Sequence, residues 1–278
     1  TGMPPKLKNA AANDFFFLPR RDSVRLVETV VELCKTRLPD KMGIPAEELQ
    51  VLTPTRRGDA GTRSLNFALQ AALNPPSRTK NEKQFGDLIF REGDRVMQTK
   101  NNYDVLWEKD DGTMGAGIFN GDVGTVEEID PSGELLTLRF DDRTVGYTAD
   151  MLNQLDMAYA ITVHKAQGSE YKAVILLAAP AAPGLLVRGV LYTAMTRARE
   201  LLIIVGDDTI PGQMAENAGK ARLLHRPLSG IGHNGIVKIH HQKPDPVSHQ
   251  KFRGQICQLR RHHSGKERKG HMLFSLFL

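Results

Sequence analysis

Apolar positions follow two rhythms along this chain. In the first, short unbroken apolar runs alternate with stretches at helical spacing. Asp14–Leu18 carries three phenylalanines and a leucine in a row, which suits a buried strand. Asp22 or Ser23 can cap the helix that follows, where Val24, Val27, Val30, Val31 and Cys34 recur at helical spacing through about Leu38. Pro39 to Pro45 reads as a loop, and Leu49–Thr53 as a second strand closed by a Gly-rich polar turn from Pro54 to Gly61. Thr62 can cap a helix from Arg63 to Leu73 with Leu65, Leu69 and Leu73 on one face; Asn74, Pro75 and Pro76 stop it. The rhythm returns late in the chain. Val174–Ala179 reads as a strand buried on both faces, Val187–Arg199 as a helix, and Leu201–Val205 as the last strand. Alternating strands and helices predict a parallel sheet with covering helices. In such α/β sheets, function gathers at the carboxyl ends of the strands.

The second rhythm begins after Lys80. Phe90–Gln98 reads as a turn then a strand, Asn120-Gly121 as hairpin punctuation, and Val123–Ile129, Leu135–Phe140 and Val145–Thr148 as short strands. Close spacing of this kind predicts a small β-barrel or sandwich inserted into the α/β part. Lys109–Gly115 is expected to be a mobile loop. Trp107 and Phe119 read either as rings that stack on bases or as barrel core.

Where the first rhythm resumes, Ala158–Tyr171 concentrates donors and charge between two apolar runs. It reads as a strand end, a polar turn and the start of a helix. Thr162, His164, Lys165, Gln167 and Glu170 all fall within it. Such a cluster points to a loop that touches phosphate rather than to plain core. Arg56 and Arg57 lie just past a strand, where guanidinium forks match phosphate oxygens or simply face solvent. Arg197 and Arg199 lie at a helix end, where cations are also favoured by the macrodipole.

Charge is unevenly distributed. The net charge is +5, yet Lys220 to Gly270 alone holds 12 Lys+Arg against 2 Asp+Glu, leaving 25 and 30 elsewhere. Eight of the nine histidines sit at or after His225. The picture is a mildly acidic body with a basic, His-rich tail lacking sustained periodicity. Cys34 and Cys257 suggest neither a disulfide framework nor a metal site, which fits a reducing, cytoplasmic setting. No apolar window is long enough to span a membrane, and the amino terminus does not resemble a signal peptide.

Three segments, in order, resemble the superfamily 1B DNA helicases of the RecD type. Val51-Leu-Thr-Pro-Thr-Arg-Arg-Gly58 with Leu65-Asn66, Leu69-Gln70 and Leu73-Asn74-Pro75 resembles that family's motif IV region. Ala158 to Glu170 resembles motif V, and Leu191-Tyr-Thr-Ala-Met-Thr-Arg-Ala-Arg199 resembles motif VI. Phe90–Gln98 and Phe119–Gly124 are similar to the segments leading into the family's SH3-like barrel. The resemblance covers roughly residues 14 to 210, and is nearest to the stand-alone bacterial members. It implies a RecA-like α/β domain at 14–100 and 153–228 with an inserted barrel at 101–152; outside it, composition alone reads 1–13 as a frayed lead-in and 229–278 as a basic, disordered tail. It implies that Arg197 is an arginine finger on the γ-phosphate of ATP, with Arg57 a second γ-phosphate contact. Gln167 and Gly168 would couple nucleotide to DNA, and Glu170 would lie near the nucleotide sugar. Thr162, His164 and Lys165 would hold the backbone of single-stranded DNA, along which the family moves 5′ to 3′.

One expected feature is absent from the sequence. No G-x-x-x-x-G-K-[ST] loop, whose amides cradle phosphates, occurs: Gly219-Lys220 is followed by Ala221 and Gly265-Lys266 by Glu267. No Asp-Glu pair follows an apolar strand either. The resemblance therefore implies a carboxyl-terminal motor half. ATP and Mg²⁺ would be shared with an amino-terminal domain supplied in cis or in trans, and this half alone would be inactive. Two other readings are a non-catalytic nucleic-acid-binding remnant and the helicase half of a conjugative relaxase. A relaxase would need an upstream histidine cluster and catalytic tyrosine.

Overall fold

The computed structural model describes residues 14–218. The lead-in at 1–13 and the basic tail at 229–278 lie outside them. The chain enters through β1 (Phe15–Pro19), α1 (Ser23–Glu32), a π-helical turn at Leu33–Arg37, α2 (Leu38–Met42), β2 (Leu49–Thr53) and α3 (Thr62–Leu73). Asp22 caps α1, accepting from the backbone N of Arg25 at 2.8 Å. The helical path then continues past Leu38, where a loop was expected. Pro39 falls in the first turn of α2, where its missing N–H is tolerated, and Gly43 ends the helix with φ 64°.

The second rhythm builds β3 (Glu82–Phe85), β4 (Leu88–Arg91), β5 (Arg95–Gln98), β6 (Asn102–Lys109), β7 (Met114–Ile118), β8 (Val123–Ile129), β9 (Leu135–Phe140), β10 (Arg143–Thr148) and β11 (Leu155–Met157). β3 and β4 form a hairpin. The other seven form an antiparallel sheet in the order β11-β5-β8-β9-β10-β6-β7. It encloses Phe90, Ile118, Val126, Leu138, Phe140 and Tyr147. The sheet thus takes in strands on both sides of 101–152, because β11 pairs with β5 across more than fifty residues of chain. Lys109–Gly115 is no loose loop. Lys109 N donates to Thr113 O at 2.8 Å and Gly112 N to Lys109 O at 2.9 Å, closing a tight β6–β7 turn. Trp107 packs against the barrel core, lying under Gly115, whereas Phe119 is exposed.

The chain returns through β12 (Ala160–Thr162), β13 (Tyr171–Ala178), α4 (Arg188–Met195), β14 (Ala198–Gly206) and α5 (Thr209–Glu216). These complete a five-stranded sheet, β1-β14-β13-β2-β12, with every pair parallel. Its near-continuous apolar strands are covered on both faces, as parallel sheets require. The helix expected to reach Arg199 stops at Met195, and Arg199 lies in β14.

Polar side chains of α3 fasten the barrel to the sheet. Asn66 Nδ2 donates to Met157 O and Ala160 O, and its Oδ1 accepts from Ala160 N at 2.7 Å. Asp94, fully buried at the β4–β5 turn, accepts from four donors: Asn74 Nδ2, Tyr159 Oη, Gln70 Nε2 and Arg91 N. Burial pushes its pKa up, with those hydrogen bonds opposing.

Cys34 is packed under the helices, and burial pushes its thiol up to about 12, against a smaller pull from Arg95. A thiol held in that state is not a nucleophile at ordinary pH. In the native chain at pH near 8, iodoacetamide is expected to leave the Cys34 peptide unlabelled, with labelling only after denaturation. Peptide mapping reads the result, and native labelling at Cys34 would contradict the burial.

Candidate nucleic-acid and nucleotide interface

Sheet register sorts the polar cluster into two groups. β12 stands in register with β2, Thr162 beside Thr53, so Thr162 and the residues after it emerge at the carboxyl end of the sheet. Tyr171 begins β13 beside Ala198 at the amino end. Leu52 stands beside Leu176, five positions beyond Tyr171, which separates the two ends by roughly 16 Å. The segment from Thr162 to Tyr171 therefore runs the length of the sheet. It does so in successive turns: Lys165 N donates to Thr162 O at 2.9 Å and Ser169 N to Ala166 O at 3.2 Å. No helix starts here, contrary to the sequence reading. Gly168 adopts φ 92° and breaks the right-handed path before β13. Val163 and Ala166 anchor the segment in the core, while His164, Gln167, Gly168 and Glu170 are exposed.

At the carboxyl end, the segment meets the β2 turn and the barrel. Lys165 Nζ donates to Asn120 Oδ1 in the β7–β8 turn. Arg56 Nη2 pairs with Asp156 Oδ2 of β11 at 3.3 Å. Burial and then the charge of Arg56 lower the Lys165 pKa, with Asp156 opposing. The Arg57 guanidinium takes part in no hydrogen bond or ion pair among the described residues; only its backbone is engaged, by Thr55. This end is a cluster of three cations with one carboxylate partner.

At the amino end sits Arg197. Its Nη1 donates to Ser169 O at 2.9 Å, its Nη2 to Thr196 Oγ1 at 3.1 Å and its Nε to Thr193 O at 3.3 Å. Its own carbonyl accepts from Tyr171 N at 2.8 Å. The guanidinium is half-buried, clamped to the turn that holds Gln167 and Gly168, and joined to no carboxylate in any ion pair among the described residues. A half-buried guanidinium with only neutral partners leaves its charge available to an anion. Arg95 supports the same corner. Its Nη1 donates to Leu49 O at 2.7 Å and its charge lies 6.0 Å from the Tyr171 ring. Burial raises the Tyr171 pKa, and Arg95 and Arg197 oppose that.

The structure thus ties Arg197 to Ser169, within the stretch that carries Gln167, Gly168 and Glu170, and sets Thr162, His164 and Lys165 at the end of the sheet where Arg56 lies. It does not bring Arg57 to Arg197: the two lie at opposite ends of the parallel sheet, because one follows a strand and the other precedes one. Three contributors escaped the sequence reading. Asn120 looked like turn punctuation only, Asp156 lay in an unremarked strand, and Ser169 contributes a backbone carbonyl, for which no side-chain signal exists.

Comparison with known proteins bears on this arrangement. Residues 65–140 match the family described as the ATP-dependent RecD-like DNA helicase SH3 domain, and residues 157–205 match the UvrD-like helicase C-terminal domain. The chain carries a RecD-like helicase domain with an SH3-like insertion. The ATP-dependent RecD2 DNA helicase of Deinococcus radiodurans is 39% identical over 158 residues, 57% of this chain and 20% of that protein. The RecBCD enzyme subunit RecD of Mycolicibacterium smegmatis is 29% identical over 187 residues, 67% of this chain and 30% of that protein. The RecD-like domain described here therefore spans under a third of the length of these relatives. Among solved structures, a crystal structure of Bacteroides Pif1 bound to ssDNA is similar over 69% of this chain and 47% of that one, at 20% identity and a TM-score of 0.38. No helix among the described residues is long and apolar enough to cross a membrane.

Proposed function

We propose that this chain is the carboxyl-terminal motor domain of an ATP-dependent 5′–3′ DNA helicase. The observation that carries the reading is the single segment from Thr162 to Tyr171. It joins a cation cluster at one end of the sheet to an anion-seeking Arg197 at the other. Nucleotide bound at the amino end would touch Arg197, Gln167, Gly168 and Glu170. A single DNA strand at the carboxyl end would lie on Thr162, His164 and Lys165.

The chemistry asked of this chain is electrostatic. Arg197 would stabilise charge on the transferring phosphoryl group, and the Ser169 carbonyl would fix where its fork points. ATP hydrolysis also needs a phosphate cradle and a Mg²⁺ site. The Ser/Thr and Asp that hold such an ion are expected on a domain bearing the Walker loops, in cis or in trans. The 278-residue chain tested by itself is then expected to bind single-stranded DNA without appreciable ATP turnover.

Salt dependence tests the DNA half of this reading. Lys165→Ala should weaken binding of a single-stranded oligodeoxynucleotide regardless of sequence. It should also make the slope of log affinity against log salt shallower by about 0.7, one phosphate contact for a single strand. Anisotropy titrations at several salt concentrations measure both. An unchanged slope with unchanged affinity would remove Lys165 from the track. Absence of binding by the unaltered chain would remove the track itself.

A further inference from the structure

The barrel carries an exposed aromatic pair beside the Lys165 cluster. Tyr103 on β6 and Phe119 after β7 are 65% and 41% exposed, yet their ring centroids lie 5.6 Å apart at an interplanar angle of 69°. Two large apolar side chains held open to water are costly unless something covers them. Their placement is built rather than loose. Asn101 Nδ2 donates to Tyr103 Oη at 3.1 Å, and Asn101 Oδ1 accepts from Asn120 N at 2.9 Å. Phe119 N donates to Asp122 Oδ2 at 3.1 Å. Gly117, at φ 101°, lets the Phe119 ring lie over the strand; a Cβ there would come within 3.1 Å of it.

The surroundings indicate what covers the rings. Asn120, next in chain to Phe119, is the residue that receives Lys165 Nζ. Lys100 precedes Asn101 and is exposed. The nearby carboxylate of Asp122 is engaged by Arg143 at 3.5 Å; Asp104, beside Tyr103, is the exposed acid of the group. Aromatic faces next to cations match a single-stranded nucleic acid, whose bases stack while its phosphates meet the charges. An edge-to-face pair suits this role because it leaves ring faces open in two directions. We infer that Tyr103 and Phe119 form a base-stacking step where a single DNA strand passes from the parallel sheet onto the barrel. The inference rests on the DNA track proposed above and adds the residues that grip bases rather than phosphates.

Bases, not charge, are the test. The chain is titrated with two labelled oligodeoxynucleotides of equal length, one ordinary and one carrying consecutive abasic sites. The unaltered chain should bind the abasic strand about a hundredfold more weakly, one factor of about ten for each ring. Tyr103→Ala and Phe119→Ala should each lose about tenfold on the ordinary strand, and the double variant should bind both strands equally. Tyr103→Phe should retain affinity. Equal binding of the two strands by the unaltered chain, a comparison that needs no variant, would overturn the inference and leave the Lys165 track intact. So would alanine variants that keep full affinity. Failure of the unaltered chain to bind either strand at any salt concentration would overturn the track and the stacking step together.

Discussion

Arg197→Ala removes ATP turnover, by about a thousandfold, from a helicase assembled with a Walker-bearing partner domain, while single-strand affinity stays where it was. The split follows from the sheet register. Arg197 lies at the amino end, tied to Ser169 O and Tyr171 N, whereas Lys165, Arg56 and Arg57 lie at the carboxyl end. On the proposed reading, loss of its charge would deprive the transferring phosphoryl group of its cation and would leave the cations of the proposed DNA track in place. Arg197→Lys should not restore turnover, because an ammonium cannot reach Ser169 O and Thr196 Oγ1 while also presenting a fork to phosphate. Steady-state phosphate release and anisotropy on the same preparations read both quantities. A fall in affinity that matched the fall in turnover would show Arg197 acting through the fold rather than on nucleotide.

Asp94→Asn is the substitution expected to cost the most stability, about 3 kcal/mol near neutral pH. The carboxylate is fully buried and accepts from Asn74, Tyr159, Gln70 and Arg91 N. An amide keeps the shape but offers one acceptor oxygen, and turns its NH₂ toward donors. These bonds join α3, the β4–β5 turn and the approach to β12, so their loss loosens the barrel on the sheet. The pH dependence has a definite sign. Burial raises the folded-state pKa of Asp94 above its unfolded value. The folded state therefore binds the proton more tightly, and this group's contribution to stability falls as pH rises from the unfolded to the folded pKa. Asn does not titrate, so the gap between the wild-type chain and Asp94→Asn should widen as pH falls from the folded toward the unfolded pKa of Asp94. Urea unfolding at several pH values measures it, and a gap independent of pH would assign the loss to packing alone.

Much of the parallel sheet was legible in the sequence because its strands are buried on both faces. Phe15–Leu18, Leu49–Thr53, Val174–Ala178 and Leu201–Val205 are apolar without alternation, which leaves few alternatives. The Thr162–Tyr171 segment was legible for the opposite reason, a density of donors that core does not tolerate. What escaped depends on distant pairing. β11 joins the barrel only through β5, and the Lys165–Asn120 and Arg56–Asp156 contacts unite residues far apart in the chain. The β6–β7 hairpin escaped because its turn is acidic and Gly-rich, as a mobile loop would be. Sequence order already put Arg57 after a strand and Arg197 before one; only the parallel register shows how far apart those strand ends lie.

The central claim is that this chain supplies one half of a DNA-driven ATPase. Reconstitution tests it most directly. A RecD-like amino-terminal domain carrying Walker A and B loops is joined to this chain, and phosphate release is followed with and without single-stranded DNA. The expected result is DNA-stimulated release from the fusion and none from the 278-residue chain alone. Appreciable release from the chain alone, or none from a folded fusion that binds both ATP and single-stranded DNA, would contradict it.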